Sequence, residues 1–259
     1  MGKRERYEPG TFCWVELATT DPAGAKAFYT GLFGWEAEDV PAGEATYTLL
    51  RLDGDEVYGL YALDAARREA DIQPHWLSHV SVEDAEAVAS RSRELGGTVE
   101  GGVVDVGEHG RFAIVRDPSG ANLVAWETRA GARRVNDPGC MTWNELQTRE
   151  PERMAAYYAE LFGWKMEAQR EDANLAYVVI KNGGKSNGGI MPVTEPQGDA
   201  PSFWLAYFTV ASSDDAAAKT QELGGRVYAG PMNIGAGRIA VLADPQGAAF
   251  AVFAGETDD

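Results

Sequence analysis

Residues 14–35 read WVELATTDPAGAKAFYTGLFGW, and residues 143–164 read WNELQTREPERMAAYYAELFGW, so one stretch of sequence returns without a gap 129 residues later. Shorter matches follow at nearly the same spacing: ELGG at 94–97 and 222–225, and DPSG at 117–120 against DPQG at 244–247. Self-similarity at a fixed spacing is the mark of an internal repeat. The chain is therefore two copies of one unit, and the repeat predicts a first domain over 9–130, a linker over 131–139 and a second domain over 140–256.

Each copy predicts a strand followed by a helix, then further strands. Thr20-Asp21-Pro22 is typical of a helix start, since Thr or Asp caps the first turn and Pro suits its first position. Apolar residues recur at helical spacing up to Gly34, a glycine of the kind that ends helices. The remaining segments predict strands over 46–52, 57–63 and 76–82, a helix over about 84–95, and strands over 98–100, 112–116 and 122–127. The fold class is thus α+β, with four tandem βαβββ modules in two repeated domains whose curved mixed sheets form clefts.

Composition limits the classes of partner. The 259 residues carry a net charge of −17, which argues against nucleic acid and anionic membranes as partners, because both are bound by clustered Lys and Arg. Neither a secretory signal nor an apolar run of membrane-spanning length is present, so a cytoplasmic location is expected. The two cysteines, Cys13 and Cys140, lie near the starts of the two halves and are expected to be buried thiols. Four modules in one chain can close an internal pseudo-dimer, which leaves monomer and homodimer both open.

The βαβββ pattern, the FYTGLFGW helix ending, the ELGG stop and the DPSG or DPQG turn resemble the vicinal oxygen chelate superfamily of glyoxalases, bleomycin-resistance proteins and extradiol dioxygenases. The resemblance covers residues 11 to 254 and is strongest to two-domain actinobacterial glyoxalase-like proteins. It implies clefts that hold small molecules. In enzymatic members it also implies one divalent metal, held by His, Gln or Glu side chains on the first and last strands of paired modules.

The positions that the resemblance assigns to metal ligands carry other residue types here. They fall on Trp14 and Trp143 in the first strands, near Leu77 and Leu205 in the fifth strands, and on Val124 and Ala251 in the last strands. None of these side chains binds a hard cation. The usual metal site is therefore predicted to be absent, no cofactor is predicted, and a divalent metal would require an atypical site.

Glu16 and Glu145 lie two positions after the tryptophan of each half, on the same face of a strand. A carboxylate in mid-strand needs a partner, water or a ligand, since burying it alone is costly. Each is therefore a candidate ligand-binding group. The alternative is a structural ion pair with an arginine, for which Arg111 and Arg238 are the candidates, and both arginines also count as candidate ligand-binding residues.

His79 is the candidate for acid–base chemistry beside Glu16, since an imidazole titrates near neutral pH. Its counterpart in the second half is Tyr207, so shared chemistry would be confined to the first half, and Tyr207 is predicted only to contact a ligand. The alternative for His79 is a core histidine with satisfied hydrogen bonds. Trp14, Trp143 and Trp126 are predicted as aromatic walls of the clefts, suited to flat or cationic molecules.

Three functions remain open. The first is a metal-independent protein that binds a small hydrophobic, aromatic or cationic molecule. The second is a glyoxalase-like lyase or isomerase, or an oxygenase, with an atypical site containing Glu16 and His79 as catalytic residues. The third is a scaffold whose pockets are vestigial. Open pockets lined by Trp14, Glu16 and His79 would favour either of the first two, and filled pockets would favour the third.

Overall fold

The computed structural model describes residues 2–170, 176–193 and 201–257. In the first half it shows two modules in which a strand and a helix precede three strands. The first module contains β1 (Phe12–Thr19), α1 (Pro22–Phe33), β2 (Glu36–Ala42), β3 (Ala45–Leu52) and β4 (Asp55–Ala62), followed by the short α2 (Ala65–Glu69). The second contains β5 (His75–Ser81), α3 (Ala85–Glu94), β6 (Thr98–Asp105), β7 (Arg111–Arg116) and β8 (Asn122–Glu127).

The second half repeats the arrangement and confirms the predicted fold class. Its first module contains β9 (Met141–Thr148), α4 (Pro151–Phe162), β10 (Lys165–Arg170), β11 (Ala176–Asn182) and β12 (Lys185–Pro192). Its second contains β13 (Phe203–Thr209), α5 (Ser213–Glu222), β14 (Arg226–Ile234), β15 (Gly237–Ala243) and β16 (Ala249–Gly255).

Each half forms one mixed, eight-stranded sheet in which the first strands of the two modules meet at the centre. The orders are β2-β3-β4-β1-β5-β8-β7-β6 and β10-β11-β12-β9-β13-β16-β15-β14. The central pair is antiparallel, while β1 with β4 and β5 with β8 are parallel. Residues on β1, β5 and β8 are therefore brought side by side although they are distant in sequence.

The predicted start and end of α1 are confirmed. The Asp21 carboxylate accepts a hydrogen bond from the backbone N–H of Gly24 at 3.0 Å, and Gly34 ends the helix with a left-handed φ of 73°. The strand β2 was not predicted. Its sequence EAEDVPA has no apolar alternation because it is an edge strand whose side chains are mostly exposed.

The two halves are joined through buried hydroxyl groups in a reciprocal manner. Tyr29 of α1 donates to Asp244 of the DPQG turn at 3.2 Å, and Tyr158 of α4 donates to Asp117 of the DPSG turn at 2.9 Å. Each tyrosine also accepts from an indole of its own half, Trp76 at 2.9 Å and Trp204 at 3.0 Å. The helix of one half is thus matched to the turn of the other, and a single hydrophobic core spans both.

Trp35 and Trp164, which follow the repeated helices, reinforce this junction. Each is 2% exposed, and each donates its indole N–H to a backbone carbonyl of the other half, Gly139 at 2.8 Å and Gly10 at 2.7 Å. Cys13 and Cys140 are both buried and free. Within the described ranges, no helix is long and apolar enough to cross a membrane.

Candidate functional site

The sheet register brings the candidate residues of the first half together on one face. Trp14 of β1 lies opposite His79 of β5, and His79 is paired in turn with Val124 of β8. Alternation along the strands places Glu16 and Trp126 on the same face. We call this surface, formed by Trp14, Glu16, Leu77, His79, Val124 and Trp126, the first face.

The fifth-strand position beside Trp14 and Val124 is occupied by His79, not by Leu77 as the sequence comparison indicated. Leu77 lies opposite Glu16 instead, two residues away along the strand. The structure therefore puts the His79 imidazole, and not Leu77, between Trp14 and Val124 at the centre of the first face.

Glu16 and His79 form the polar centre of the first face. Glu16 Oε1 lies 3.4 Å from His79 Nε2, and Glu16 Oε2 accepts a hydrogen bond from the Tyr47 hydroxyl at 3.0 Å. The Glu16–His79 contact has the distance of an ion pair but not the alignment of a hydrogen bond. His79 is only 7% exposed, and neither of its ring nitrogens has a hydrogen-bond partner among the described residues.

The ring nitrogens of His79 make no hydrogen bond to the described residues and are therefore available to a bound molecule. Buried polar atoms are nearly always satisfied, and one left without a partner costs about 1–3 kcal/mol. The alternative in which His79 is a satisfied core residue would require hydrogen bonds that the imidazole does not make to the described residues. Because the Glu16 side chain keeps 17% of its accessible surface, the pair can be reached from solvent on the carboxylate side.

Two tryptophan rings lie beside His79 on the first face. Trp14 and Trp126 meet edge to face with centroids 6.4 Å apart, and His79 meets Trp126 in the same way at 5.7 Å. Both indole N–H groups are already used, since Trp14 donates to the Tyr47 hydroxyl at 3.3 Å and Trp126 donates to the His109 carbonyl at 2.7 Å. The two indoles therefore offer a ligand only ring surface, while Glu16 and His79 offer polar atoms.

Tyr47 reaches Glu16 because Gly59 has no side chain. Glu16 is paired with Gly59 in the parallel β1–β4 ladder, and Leu49, two residues after Tyr47, lies opposite Gly59 on β3. A Cβ at Gly59 would lie 1.7 Å from the Tyr47 hydroxyl oxygen, so only glycine leaves room for this contact. The sequence analysis missed both residues; a lone glycine in a strand signals close approach, but it does not name the partner.

The second half has the same frame with different chemistry. Trp143 lies opposite Tyr207, and the Tyr207 hydroxyl donates to Glu145 Oε1 at 2.8 Å. Gln147 Nε2 donates to the same oxygen at 2.5 Å, and Trp143 donates to the Tyr177 hydroxyl at 2.8 Å. Gly189 repeats the role of Gly59, because a Cβ there would lie 1.9 Å from the Tyr177 hydroxyl oxygen.

The two carboxyl groups consequently differ in charge preference. Burial alone would raise the pKa of Glu16, but the His79 imidazole and the Tyr47 hydroxyl hold it below its ordinary value. Burial raises the pKa of Glu145, and the hydrogen bonds from Tyr207 and its neighbours only partly oppose that rise. The surroundings thus shift the pKa of the two strand glutamates in opposite directions, downward for Glu16 and upward for Glu145.

The predicted arginine partners are elsewhere. Arg111 lies on the other face of its sheet, where it pairs with Glu127 at 2.6 Å, next to Asp84 at the start of α3. Arg238 pairs with Asp214 of α5 at 2.6 Å. The structural ion pairs expected between these arginines and the strand glutamates are therefore wrong. Sequence separation gave no indication of which sheet face each arginine takes.

The donor set of the first face falls short of a divalent-metal site. Glu16 and His79 supply one carboxylate and one imidazole, while Trp14 and Val124 supply no ligand at the neighbouring positions. A protein site for zinc or manganese needs three or more such side chains. Among the residues that the structure describes, no group of three His, Cys, Asp or Glu is arranged to hold a metal ion. We therefore derive no chemical step through a metal.

A groove of about 610 Å³ lies at the junction of the halves, between α1 and α5. It includes Gly31 and Lys219. The matching positions of the other junction are Glu160 and Arg91, which form a 2.8 Å ion pair between α4 and α3. No such pair is possible at the groove, where Gly31 has no side chain to pair with Lys219, and none of the predicted site residues lines the groove.

Comparisons with known proteins agree with this architecture. Residues 11–124 match the model of the glyoxalase/bleomycin resistance protein/dioxygenase superfamily, and residues 142–253 match that of a glyoxalase-like domain. A putative glyoxylase, CFP32, of Mycobacterium tuberculosis is 38% identical over 257 residues, covering 97% of each chain. The anthracycline biosynthesis protein DauV of Streptomyces sp. is 30% identical over 269 residues, covering 95% of this chain and 94% of its own.

A solved structure supports the fold. The Mn(II)-bound glyoxalase from Novosphingobium aromaticivorans superposes with a TM-score of 0.66 at 16% identity, covering 100% of this chain and 85% of its own. Two family models that together span most of the sequence, and relatives matched over nearly their whole length, show that the chain belongs to the glyoxalase/bleomycin resistance protein/dioxygenase superfamily.

Proposed function

We propose that the first half binds a small aromatic molecule on the first face, with its polar or cationic group at Glu16 and His79. The observation that carries this proposal is the buried imidazole of His79, which has no hydrogen-bond partner among the described residues and lies beside Glu16. An ionised carboxylate held between indoles attracts a cation by charge and by cation–π contact. The relatives named for glyoxylase and anthracycline biosynthesis are consistent with a small-molecule role.

Binding can be tested with probes that share one ring system and differ in charge. We expect 9-(aminomethyl)anthracene, a cation, to quench the tryptophan fluorescence of the full chain and to bind more tightly than 9-anthracenecarboxylate. Glu16→Gln removes the carboxylate and is expected to weaken the cation by more than tenfold, as loss of a charge-assisted hydrogen bond does. Glu38→Gln makes the same charge change on the exposed edge strand β2 and is the matched control.

Two results would count against the proposal. If the cationic probe does not bind, the first face does not hold an aromatic cation and the proposal is refuted. If Glu16→Gln and Glu38→Gln change its affinity equally, the carboxylate acts only through the overall charge of the protein.

A second function is favoured by the Glu16–His79 distance of 3.4 Å. A carboxylate beside an imidazole is a general-base arrangement, and it would support proton abstraction next to a carbonyl, as in a lyase or isomerase. Exchange of the methyl hydrogens of acetophenone for deuterium, followed by NMR, separates this function from binding. Acceleration by the wild type that is lost in both Glu16→Gln and His79→Gln indicates catalysis, whereas equal rates in all three proteins leave binding alone.

A further inference from the structure

The two junctions between the halves share one frame, and the junction of α3 with α4 shows that frame complete. Arg91 of α3 bridges two carboxylates there, Glu94 of its own helix at 3.0 Å and Glu160 of α4 at 2.8 Å. Below this ion pair, Ser92 Oγ and the Tyr157 hydroxyl share a buried hydrogen bond of 2.7 Å between the same two helices. Each polar group that faces this junction from α3 therefore has a partner on α4.

The junction of α1 with α5 lacks both contacts between its helices. Lys219 keeps the matching ion pair with Glu222 of its own helix at 3.2 Å, but Gly31 stands in α1 where the other junction has a glutamate. Phe28 stands where the other junction has a tyrosine, and the buried Thr220 Oγ1 makes no hydrogen bond to the described residues. The frame is thus present at this junction, while the groups that α4 supplies at the other one are missing.

The groove of about 610 Å³ lies at this incomplete junction. Leu32, Phe33 and Val210, which are half-buried, and the small Ala216 give it an apolar lining. Small-molecule sites commonly enclose about 300–1,000 Å³ and combine an apolar lining with a few polar groups. The groove therefore has the size and the lining for a small molecule with an apolar part.

Among the residues that the structure describes, three charged side chains line the groove, one cation and two carboxylates. Glu222 is paired with Lys219, whose side chain keeps 47% of its accessible surface. An ammonium group has three N–H donors, so Lys219 can meet a second carboxylate while it keeps Glu222, as Arg91 does at the other junction. Asp215, one helical turn before Lys219, opposes an anion in the groove, and its removal therefore has the opposite expected effect.

We propose that the groove between α1 and α5 binds an aliphatic carboxylate. Its charged end pairs with Lys219 as Glu160 pairs with Arg91, and its alkyl chain covers the apolar lining. The ligand thereby supplies the contact that Gly31 cannot make. Burial of the chain favours binding, and the ion pair determines which end lies at the lysine. The site shares no residue with the first face, so it stands apart from the function proposed there.

The charge of the site is tested with octanoate, and octan-1-ol is the uncharged comparison. In calorimetry of the full chain, we expect one octanoate to bind per chain, more tightly than the alcohol. Lys219→Gln should weaken octanoate by about twofold to fivefold, the range for an exposed ion pair. Lys165→Gln makes the same charge change at an exposed position of the edge strand β10 and is the matched control. Asp215→Asn should strengthen the binding.

The location of the site is tested at position 31. Gly31→Gln and Gly31→Glu both place a side chain in the groove and should leave no measurable octanoate binding. Only Gly31→Glu can also form the ion pair with Lys219, so its thermal midpoint should lie above that of Gly31→Gln. The two variants are matched in size and both meet Leu223, whose Cδ2 lies 3.2 Å from a Cβ at this position.

The results that would overturn the proposal are distinct. Octanoate that does not bind, or that binds Gly31→Gln as tightly as the wild type, refutes the site. Equal losses in Lys219→Gln and Lys165→Gln refute the role of Lys219, and equal midpoints for Gly31→Glu and Gly31→Gln refute the match to Glu160. Glu16→Gln should bind octanoate as the wild type does, so a failure of this proposal leaves the function proposed for the first face unaffected.

Discussion

Replacing Gly59 by alanine should disturb the first face without replacing any of the side chains that we propose to bind a ligand. The new Cβ would lie 1.7 Å from the hydroxyl oxygen of Tyr47 and 2.3 Å from its Cζ, so the tyrosine must move away. Glu16 then loses the 3.0 Å hydrogen bond, and the Trp14 indole loses its 3.3 Å acceptor.

The expected cost follows from these two contacts. A hydrogen bond to a charged group contributes about 1.5–3 kcal/mol, and the longer indole contact about 0.5–1.5 kcal/mol. Alanine also restricts the unfolded chain more than glycine does, which stabilises the folded protein by about 0.4–1 kcal/mol. The free energy of unfolding should therefore fall by about 1–4 kcal/mol, and the cationic probe should bind more weakly, because Glu16 is no longer held in place.

Urea unfolding followed by circular dichroism measures this change as a lower midpoint at constant slope. Gly235→Ala is the matched control, since its Cβ meets nothing within 4 Å. In a Tyr47→Leu background the same alanine should cost much less, because the shorter side chain no longer occupies that space. The reasoning fails if Gly59→Ala is as stable as Gly235→Ala, or if Tyr47→Leu leaves its cost unchanged.

The remaining predictions concern charge, the junction and the thiols. Because the pKa of Glu16 is held below its ordinary value of 4.5, Glu16→Gln should destabilise the protein at pH 7, and the difference should shrink as the pH falls through that lowered pKa. The raised pKa of Glu145 has the opposite effect on stability. The stability of Glu145→Gln relative to wild type should therefore rise as the pH increases from about 4 toward 7. Urea unfolding measured across pH tests both assignments, and parallel profiles for the two variants would contradict them. Tyr158→Phe removes the hydroxyl that donates to Oδ2 of the buried Asp117 carboxylate and should lower the free energy of unfolding by about 1.5–3 kcal/mol. Arg91→Ala breaks an exposed ion pair between the same halves and should cost less than about 1 kcal/mol; equal losses in thermal unfolding would argue against the ranking. Burial raises the pKa of Cys140 to about 12, so its thiol should resist a disulfide-exchange reagent at pH 8 until urea unfolds the chain, and rapid labelling of the folded protein would show that the thiol is accessible.

The fold was predictable because its signals are local and repeated. The capping Asp21, the apolar spacing of α1 and the terminal Gly34 each act within one helix, and the second copy repeats the pattern. Prediction failed where a strand has no buried face, as in β2, since hydrophobic alternation then disappears. The short helix α2 was missed for a similar reason, because none of its residues is buried.

The site was only partly predictable, because its chemistry depends on register between distant strands. Alternation correctly placed Glu16 on the face of Trp14. Which residue of β5 lies opposite Trp14 depends on strand pairing, which cannot be read from the sequence; the structure shows that it is His79. The contribution of Tyr47 could not be predicted for the same reason, because its hydroxyl group lies over Gly59 on a neighbouring strand. The arginines were misassigned because a shift of one residue along a strand sends the side chain to the opposite face.

The reciprocal contacts of Tyr29 with Asp244 and of Tyr158 with Asp117 have a consequence for how the duplicated chain can change. These contacts fix the helices and turns of both halves to one another, so substitutions there must satisfy two partners at once. The first face and the matching face of the second sheet take no part in them. Substitutions on one of these faces therefore leave the joint between the halves and the other face unchanged, so the two faces can change independently of each other.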